Sequence, residues 1–293
     1  MAITGDGSQE HPYEVHSYDE LKTACNHSGV WIELANDIDC NDYGENFEWQ
    51  TVSLGNSSDL DLKTHMIKNF KVADNNYAFH LNNWSKIHNG KILNAYLARS
   101  YGFSAKWNST ESRTAYFDNL SISANTGAGV VSSDVFRDLT LNACAIYIEG
   151  DITSQNTNDC SYFMPYSADY PITNCDIYIN NPNGNKQGYI FRYSSASAQV
   201  VKNCRIRGNY HVQEGAVFAG LAGYCSTRNC VWDITSNCTV SHVGGGTGTG
   251  IINTDNLPSG FNTNGVTVVD STEIISGALL RAKNFDVINV VGS

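Results

Sequence analysis

The chain has 293 residues, and its 18 Lys and Arg against 29 Asp and Glu give a formal net charge of −11. With 41% hydrophobic residues, 25 Gly and only 5 Pro, it reads as a packed globular body, which excludes a disordered or collagen-like chain. No segment approaches the roughly 20 consecutive apolar residues of a membrane helix, and no Lys or Arg run offers a phosphate-binding patch. We therefore expect neither membrane insertion nor a nucleic-acid partner.

The N-terminal segment carries weak signals. The opening MAITGDGSQEHPYEV has neither a basic start nor an apolar core, so it predicts no cleaved secretory signal. Helical periodicity is scarce in the chain as a whole. The segment from Tyr18 to Ala24 fits it best, and it predicts one short helix near the N-terminus.

A tetrad of Asn, Cys, any residue and an apolar residue recurs along the chain, at Asn174–Ile177, Asn203–Ile206 and Asn229–Trp232. A looser form, which starts with Asn or Asp, adds copies that begin at Asn69, Asn89, Asn119, Asp138 and Asn284. Successive starts from 69 to 229 differ by 20, 30, 19, 36, 29 and 26 residues. Such periods are typical of a solenoid.

Each tetrad opens a short run with the alternation of a β-strand. Cys175, Ile177 and Ile179 are predicted to point inward, and Asp176 and Tyr178 outward. Asparagine tolerates the left-handed conformation that a sharp corner before a strand needs, and stacked amides can hydrogen-bond between coils. The pattern predicts an all-β fold, a single-stranded parallel β-helix with irregular loops, and the general preference of parallel crossovers makes it right-handed.

We expect one continuous domain with three parts: a capping region and first rungs over 1–66, regular coils over 67–240, and a Gly-rich loop with C-terminal coils or cap over 241–293. The run Gly244–Gly250 predicts a flexible loop. The tetrad is missing between Asn229 and Asn284, and Val266–Val269 is the predicted strand in that gap.

The nine cysteines form a poor disulfide framework, because their number is odd and their spacing uneven. Those of the tetrads occupy the inward position, where Cys behaves as a small buried hydrophobe. A zinc set of Cys204, Cys225, Cys230 and Cys238 is disfavoured, because no Cys-x-x-Cys pair occurs. The HExxH signature and the Gly-Lys-Ser/Thr ending of a phosphate loop are also absent, so no metal or cofactor is predicted.

A glycosidase or lyase would need carboxylates held roughly 5–10 Å apart. Glu149 and Asp151 follow the strand Ala145–Ile148 and are spaced to share a face, although each carboxylate also fits a turn or a solvated position. Rungs about 4.8 Å apart would place Asp176 beside Arg205 as a surface pair. The candidate catalytic carboxylates are Glu149, Asp151, Asp176, Glu214 and Asp233.

Aromatic residues make up 11% of the chain and concentrate in the two longer intervals between tetrads. Pro165 and Pro171 suggest that one of these intervals leaves the coil. Exposed Tyr and Trp suit sugar rings or a partner protein, although such loops can also simply cover the coil. The candidate binding residues are Tyr101, Trp107, Tyr162, Phe163, Tyr166 and Tyr170, whereas Tyr189, Phe191 and Tyr193 predict an aromatic ladder.

The Asn-Cys-x-Ile tetrads resemble the rung pattern of the pectate-lyase-like superfamily of right-handed β-helices, which includes carbohydrate lyases, hydrolases and phage tailspikes. The opening, with Gly5-Asp6-Gly7, His11–Val15 and Ile67–Val72, resembles β-helical proteins of bacterial surfaces and phage virions. The segment Asp59–His65 departs from that pattern, because a Gly-rich stretch usually stands there.

Together with the absence of an export signal and of a disulfide framework, the resemblance favours a bacteriophage virion protein. It would be a tail or head fibre or spike that is assembled in the host cytoplasm and attaches to the host surface, with side loops that contact glycan or neighbouring subunits. Other virion proteins and further copies of the chain, in a homotrimer, are the implied partners. A polysaccharide-degrading lyase or glycoside hydrolase is the first alternative. An adhesin on the bacterial cell surface is the second.

Overall fold

The computed structural model describes residues 3–105, 114–127, 134–152, 161–164, 170–181, 184, 188–192, 200–213, 219–223, 226–236, 248–253 and 267–269. One α-helix, α1 (Tyr18–Cys25), and a 3₁₀ turn, Cys40–Tyr43, accompany the strands. The strands are β1 Tyr13–Val15, β2 Trp31–Leu34, β3 Ile38–Asp39, β4 Val52–Leu54, β5 Asp59–Asp61, β6 Met66–Lys71, β7 Phe79–Leu81, β8 Lys86–Tyr96, β9 Phe103–Ala105, β10 Tyr116–Asn125, β11 Asp134–Arg137, β12 Thr140–Asn142, β13 Ala145–Glu149, β14 Ser161–Met164, β15 Ile172–Thr173, β16 Asp176–Asn180, β17 Gly188–Arg192, β18 Val200–Lys202, β19 Arg205–Tyr210, β20 Ala219–Gly223, β21 Ser226–Ser236, β22 Gly248–Asn253 and β23 Thr267–Val269.

The strands stack in parallel into a β-solenoid with three faces, which confirms the predicted fold class and the β-helix part of the resemblance. The first face runs through β1, β2, β5, β8, β10, β12, β15, β18 and β21. The second face runs through β3, β6, the later halves of β8 and β10, and then β13, β16, β19, β21, β22 and β23. These two faces form one 16-stranded sheet that bends, and β4, β7, β9, β11, β14, β17 and β20 form the third face as a 7-stranded sheet.

The core lies inside the coil and consists of columns of identical residue types. Cys144, Cys175, Cys204 and Cys230 stack on successive rungs as free, fully buried thiols. This confirms the predicted inward position of Cys175, Cys204 and Cys230, and Cys144 extends the column by one rung. A second column fills the third face. It consists of five phenylalanines on successive rungs: Phe79, Phe103, Phe136, Phe163 and Phe191. The ring centroids of neighbouring phenylalanines lie 5.0–6.4 Å apart. Phe191 therefore belongs to an internal aromatic ladder, as predicted, and Tyr189 beside it is fully buried.

The corners of the coil adopt the left-handed conformation that the tetrads predicted. Asn89, Asn119, Asn174 and Asn203 have φ between 55° and 58°. Their amides also bond between rungs: Asn119 Nδ2 donates to Asn89 Oδ1 over 3.0 Å and Asn203 Nδ2 donates to Asn174 Oδ1 over 3.4 Å. The predicted asparagine ladder is thus present.

The tetrads at Asn69 and Asp138 were predicted to turn the same corner of the coil as the other tetrads, and this prediction is wrong. The corner that follows Asn119 is Ala143, with φ 52°, because Ser121 pairs with Ala145. Asp138 also has a left-handed φ, of 56°, but it turns a different corner of the coil. Asn69 is likewise one corner out of phase with Asn89. The coil has several corners that each need a left-handed residue, so the motif marks a corner without saying which one.

The helix α1 lies near the N-terminal end of the solenoid and confirms the predicted helix. Ser17 caps it by accepting a hydrogen bond from the Glu20 amide, as an N-terminal Ser commonly does. Tyr18 packs at 4.6 Å from the buried ring of Trp49, so the helix covers the aromatic core at this end. Among the described residues, this helix is too short and too polar to span a membrane.

The C-terminal part continues the same stacking. The predicted strand at Val266–Val269 is present as β23, which pairs with β22. The prediction of a flexible loop through Gly250 is wrong for its last residues, because Gly248 and Gly250 lie in β22 and pair with β21. The tetrad at Asn284 lies outside the described residues.

Candidate functional site: a polar groove at the bend of the large sheet

A groove forms where the large sheet bends, because one coil has a longer corner than its neighbours. In β8 two residues separate His88 from Lys91 at the bend. In the preceding coil their register partners are Asp61 and Met66, which four residues, 62–65, separate. The extra length makes this turn project from the surface. It lies in Asp59–His65, the segment where the sequence departs from the β-helix opening that it otherwise resembles.

The projecting turn sits directly on Gly90, which explains the glycine at that position. A Cβ on Gly90 would lie 2.3 Å from Cβ of Leu62 and 2.6 Å from the carbonyl oxygen of His65. Thr64 N donates to the carbonyl oxygen of Asn89 over 2.6 Å, which fixes the turn to the corner below it. Position 90, whose register partner Leu120 is buried, therefore needs a residue without a side chain.

The groove has a volume of about 540 Å³. Most of its lining residues carry polar side chains, although the apolar atoms of these residues form the larger part of its surface. One wall carries Lys63, whose ammonium lies 2.9 Å from Glu33 Oε2; this hydrogen bond raises the pKa of Lys63. Lys91, which also lines the groove, has no ion pair among the described residues. The lining residues are Asp61, Lys63, Thr64, Asn89, Gly90, Lys91 and Asn119.

A hydrogen-bonded chain of side chains fixes the polar groups beside the groove. Asn89 Oδ1 accepts from Asn119, so its Nδ2 is the group that faces His88 Nδ1, at 2.6 Å. His88 Nδ1 is then the acceptor, and Nε2 carries the proton and donates to Asp59 Oδ1 over 2.5 Å. Each ring nitrogen of His88 has one partner. The imidazole is consequently held in one tautomer and one orientation.

Two carboxylates flank this histidine on the outward side of the first face. Asp61, His88 and Asp118 are register partners on three successive rungs. With rungs about 4.8 Å apart, the two carboxylates are attached roughly 10 Å apart. Asp118 is held by Asn142, whose Nδ2 donates to Oδ1 over 2.7 Å, and Asp61 Oδ1 accepts from the Lys63 amide over 2.8 Å.

The structure does not assemble the predicted carboxylates into one site. Glu149 is partly exposed, whereas Asp151 is only 7% exposed, so the two do not form a surface pair. Asp176 lies beside Arg205 in register, as predicted, but its carboxylate forms a bidentate ion pair with Arg207, at 2.9 and 2.8 Å. Glu214 and the side chain of Asp233 lie outside the described residues.

The expected aromatic excursion off the coil is wrong for its first residues. Tyr162 and Phe163 are fully buried in β14, and Tyr170 is 4% exposed, so none of them offers a ring to a ligand. Tyr101 is partly exposed and packs 5.0 Å from Tyr77. Trp107 and Tyr166 lie outside the described residues, as does Tyr193 of the predicted ladder.

Sequence reasoning missed the groove residues because they come from three different coils. Asp61, Asn89 and Asn119 become neighbours only through the register of the rungs. A correct alignment of the corners would have placed Asp61, His88 and Asp118 in one column. The one local signal was the atypical segment Asp59–His65, which supplies the projecting turn.

Comparisons with known proteins leave the function to be argued from the groove. No family model matches the chain, and no curated protein sequence matches it. A crystal structure of a candidate immunoglobulin A1 protease from Bacteroides ovatus aligns with 93% of this chain and 81% of its own, at 13% identity and a TM-score of 0.45. Within the described residues, no three His, Cys, Asp or Glu side chains come together as a metal-binding set.

Proposed function

We propose that this protein is a structural component of a bacteriophage virion, a tail or head fibre or spike, which attaches to a host-surface glycan through the polar groove. The groove is the observation that carries the proposal. Its amides donate and accept hydrogen bonds, Asp61 accepts them and Lys91 donates them, as the hydroxyl groups of a glycan require. Hydrogen bonds hold the side chains of Asn89, Asn119 and Asp61 in place before binding, so little ordering cost opposes their contacts with a ligand.

The architecture supports the role of a rigid shaft. Parallel rungs satisfy one another's backbone hydrogen bonds, and stacked Cys and Phe columns fill the interior. The described cysteines are free thiols, as expected of a protein that folds in a reducing compartment. A virion protein that is assembled in the host cytoplasm and released by lysis folds in such a reducing compartment.

Attachment through the groove can be tested with a matched pair of asparagine variants. Asn89→Gly keeps the left-handed corner but removes the amide from the groove. Asn203→Gly makes the same change at an equivalent corner four rungs away. The probes are purified lipopolysaccharide O-chains, capsular polysaccharides and teichoic acids immobilised on a sensor surface. We expect one of them to bind the wild type and Asn203→Gly, and binding to Asn89→Gly to be weakened by about tenfold.

Lys91 provides a second test of the groove. Lys91→Ala removes an ammonium group that has no ion pair in the described structure, and Lys71→Ala removes an exposed lysine outside the groove. Loss of binding only in the first variant supports the groove as the attachment site. If no probe binds the wild type, or if both lysine variants bind like it, the proposal is wrong.

Virion membership and assembly need separate measurements. Mass spectrometry of purified virions should detect the chain, and light scattering of the purified protein should give the mass of a trimer. Recovery of the protein in the bacterial envelope, without virions, would instead favour the adhesin alternative. A monomeric mass would contradict the trimer but not the attachment proposal.

A polysaccharide hydrolase is the second candidate, and the column Asp61, His88 and Asp118 favours it. Inverting glycosidases hold their two carboxylates roughly 6.5–9.5 Å apart, close to the spacing expected here. Release of reducing ends from a bound polysaccharide, and its loss in Asp61→Asn and Asp118→Asn, would support hydrolysis. Binding without turnover would leave attachment as the function.

A further inference from the structure

Trp84 combines two features that are rarely found together. It is the most exposed of the large hydrophobic side chains described, at 54% of its surface, and its backbone is left-handed, with φ 62°. Residues other than Gly, Asn and Asp adopt that conformation only at a cost in free energy. The same corner carries Ser57 on the preceding rung and Asp138 two rungs later, with φ of 55° and 56°. The fold therefore demands a left-handed residue here, but it does not demand tryptophan.

Packing does not offset this cost. More than half of the Trp84 side chain faces solvent, and its ring contacts no other aromatic ring in the described part of the chain. The buried Trp49, by contrast, packs against Phe70 and Phe79 and donates through Nε1 to the carbonyl oxygen of Ala78. An exposed aromatic residue in an unfavourable backbone conformation is typical of a binding contact.

The position of Trp84 connects it to the groove. It precedes the first-face segment Lys86–His88 of β8, and the groove corner at Asn89 follows that segment on the same rung. Three extended residues span about 10 Å, so the ring and the groove flank opposite edges of one polar face. Lys86 and Asp118, each about one-third exposed, lie between them.

We infer that Trp84 is a stacking platform for a sugar ring of the glycan that occupies the groove, so that the glycan crosses the first face from the groove to the corner. This inference rests on the proposed attachment function and adds a second contact to it. The flat face of an indole ring covers the apolar face of a pyranose, while the polar groups of the first face contact its hydroxyls. A neutral or weakly charged glycan fits best, because Lys86 and Asp118 lie side by side on this face.

The test uses three substitutions of Trp84. Each variant is measured with the polysaccharide that binds the wild type in the groove experiment. Trp84→Asn keeps a residue suited to the left-handed corner, Trp84→Phe keeps an aromatic ring, and Trp84→Ala keeps neither. We expect Trp84→Asn and Trp84→Ala to bind about tenfold more weakly, and Trp84→Phe to retain part of the affinity. We also expect Trp84→Asn to melt about 2 °C above the wild type, because the corner is relieved. Saturation with the polysaccharide should change the tryptophan fluorescence of the wild type but not of Trp84→Phe.

The outcomes separate the two proposals. If the groove variants lose binding but Trp84→Asn binds like the wild type, this inference is overturned and the attachment function stands. If Trp84→Asn melts well below the wild type, the ring has a structural role and the inference also fails. If no polysaccharide binds the wild type, the attachment function falls and this inference falls with it.

Discussion

Replacing Ala143 by asparagine is expected to stabilise the β-helix. Ala143 occupies the corner that Asn119 and Asn174 occupy on the neighbouring rungs, and it has the same left-handed backbone, with φ 52°. The left-handed conformation costs an ordinary residue about 1–2 kcal/mol, and the cost is smaller for asparagine. An amide at 143 would also face Asn119 and extend the ladder by one hydrogen bond, worth about 0.5–1.5 kcal/mol.

The combined gain is about 1–2 kcal/mol, which raises the melting temperature of a chain of this size by about 2–5 °C. The assay is urea unfolding followed by circular dichroism, where a higher midpoint at unchanged slope reports stability alone. Asn119→Ala, which breaks the 3.0 Å bond to Asn89 Oδ1, is expected to lower the stability by a similar amount. Because glycine relieves the corner without adding an amide, the difference between Ala143→Gly and Ala143→Asn measures the ladder bond.

The two variants of Ala143 also define the refuting result. Ala143 is 6% exposed, so an asparagine must fit beside Asn142 and Asn174. If Ala143→Gly stabilises and Ala143→Asn does not, the corner argument holds and the ladder argument is wrong. If both variants destabilise, backbone strain at the corners does not govern the stability of the coil.

Three further predictions follow from individual residues. Gly90→Ala should lower the free energy of unfolding by about 1–3 kcal/mol in urea titrations, because the added Cβ would overlap Leu62. The same variant should bind the polysaccharide more weakly. An unfolding midpoint equal to that of the wild type would refute the close contact. Burial raises the pKa of Asp39, but hydrogen bonds from Asn69 and Lys68 outweigh this effect, so the pKa lies below its usual value. The wild type should therefore be more stable than Asp39→Asn above about pH 4, and the difference should disappear as the pH falls further. A pH-independent difference would contradict this sign. Of the nine cysteines, at most three should react with a thiol reagent before unfolding, because six are buried free thiols; faster modification of more than three would show that the interior opens.

The sequence predicted the inside of the coil better than its outside. Alternation around Cys175 and Cys204 identified the inward positions, because a buried column restricts residue size and polarity on every rung. Asparagine at the corners was equally readable, since few residues tolerate a left-handed backbone. Both signals are local, so a single sequence is enough to detect them.

Register was the limit of what the sequence could predict. Asp138 fits the tetrad pattern but turns a different corner from Asn119. Ala143 turns the same corner as Asn119, although alanine is not typical of a left-handed corner. The groove depends on this register, because its residues lie on three coils. Tyr162 and Phe163 were misjudged for a related reason: their strand ends at Met164, before Pro165, so the proline does not prevent its pairing.

Asn89 shows how the fold and the proposed site depend on the same residues. Its backbone turns the corner with φ 58°, one end of its amide accepts from Asn119, and the other end faces His88 inside the polar chain beside the groove. The ladder that holds neighbouring coils together therefore also orients the groups that line the groove. A ligand in the groove contacts side chains whose positions are set by several rungs at once, so binding requires little rearrangement. This coupling predicts that changes to the ladder near the groove alter affinity as well as stability, whereas the same changes at Asn203, four rungs away, alter stability alone.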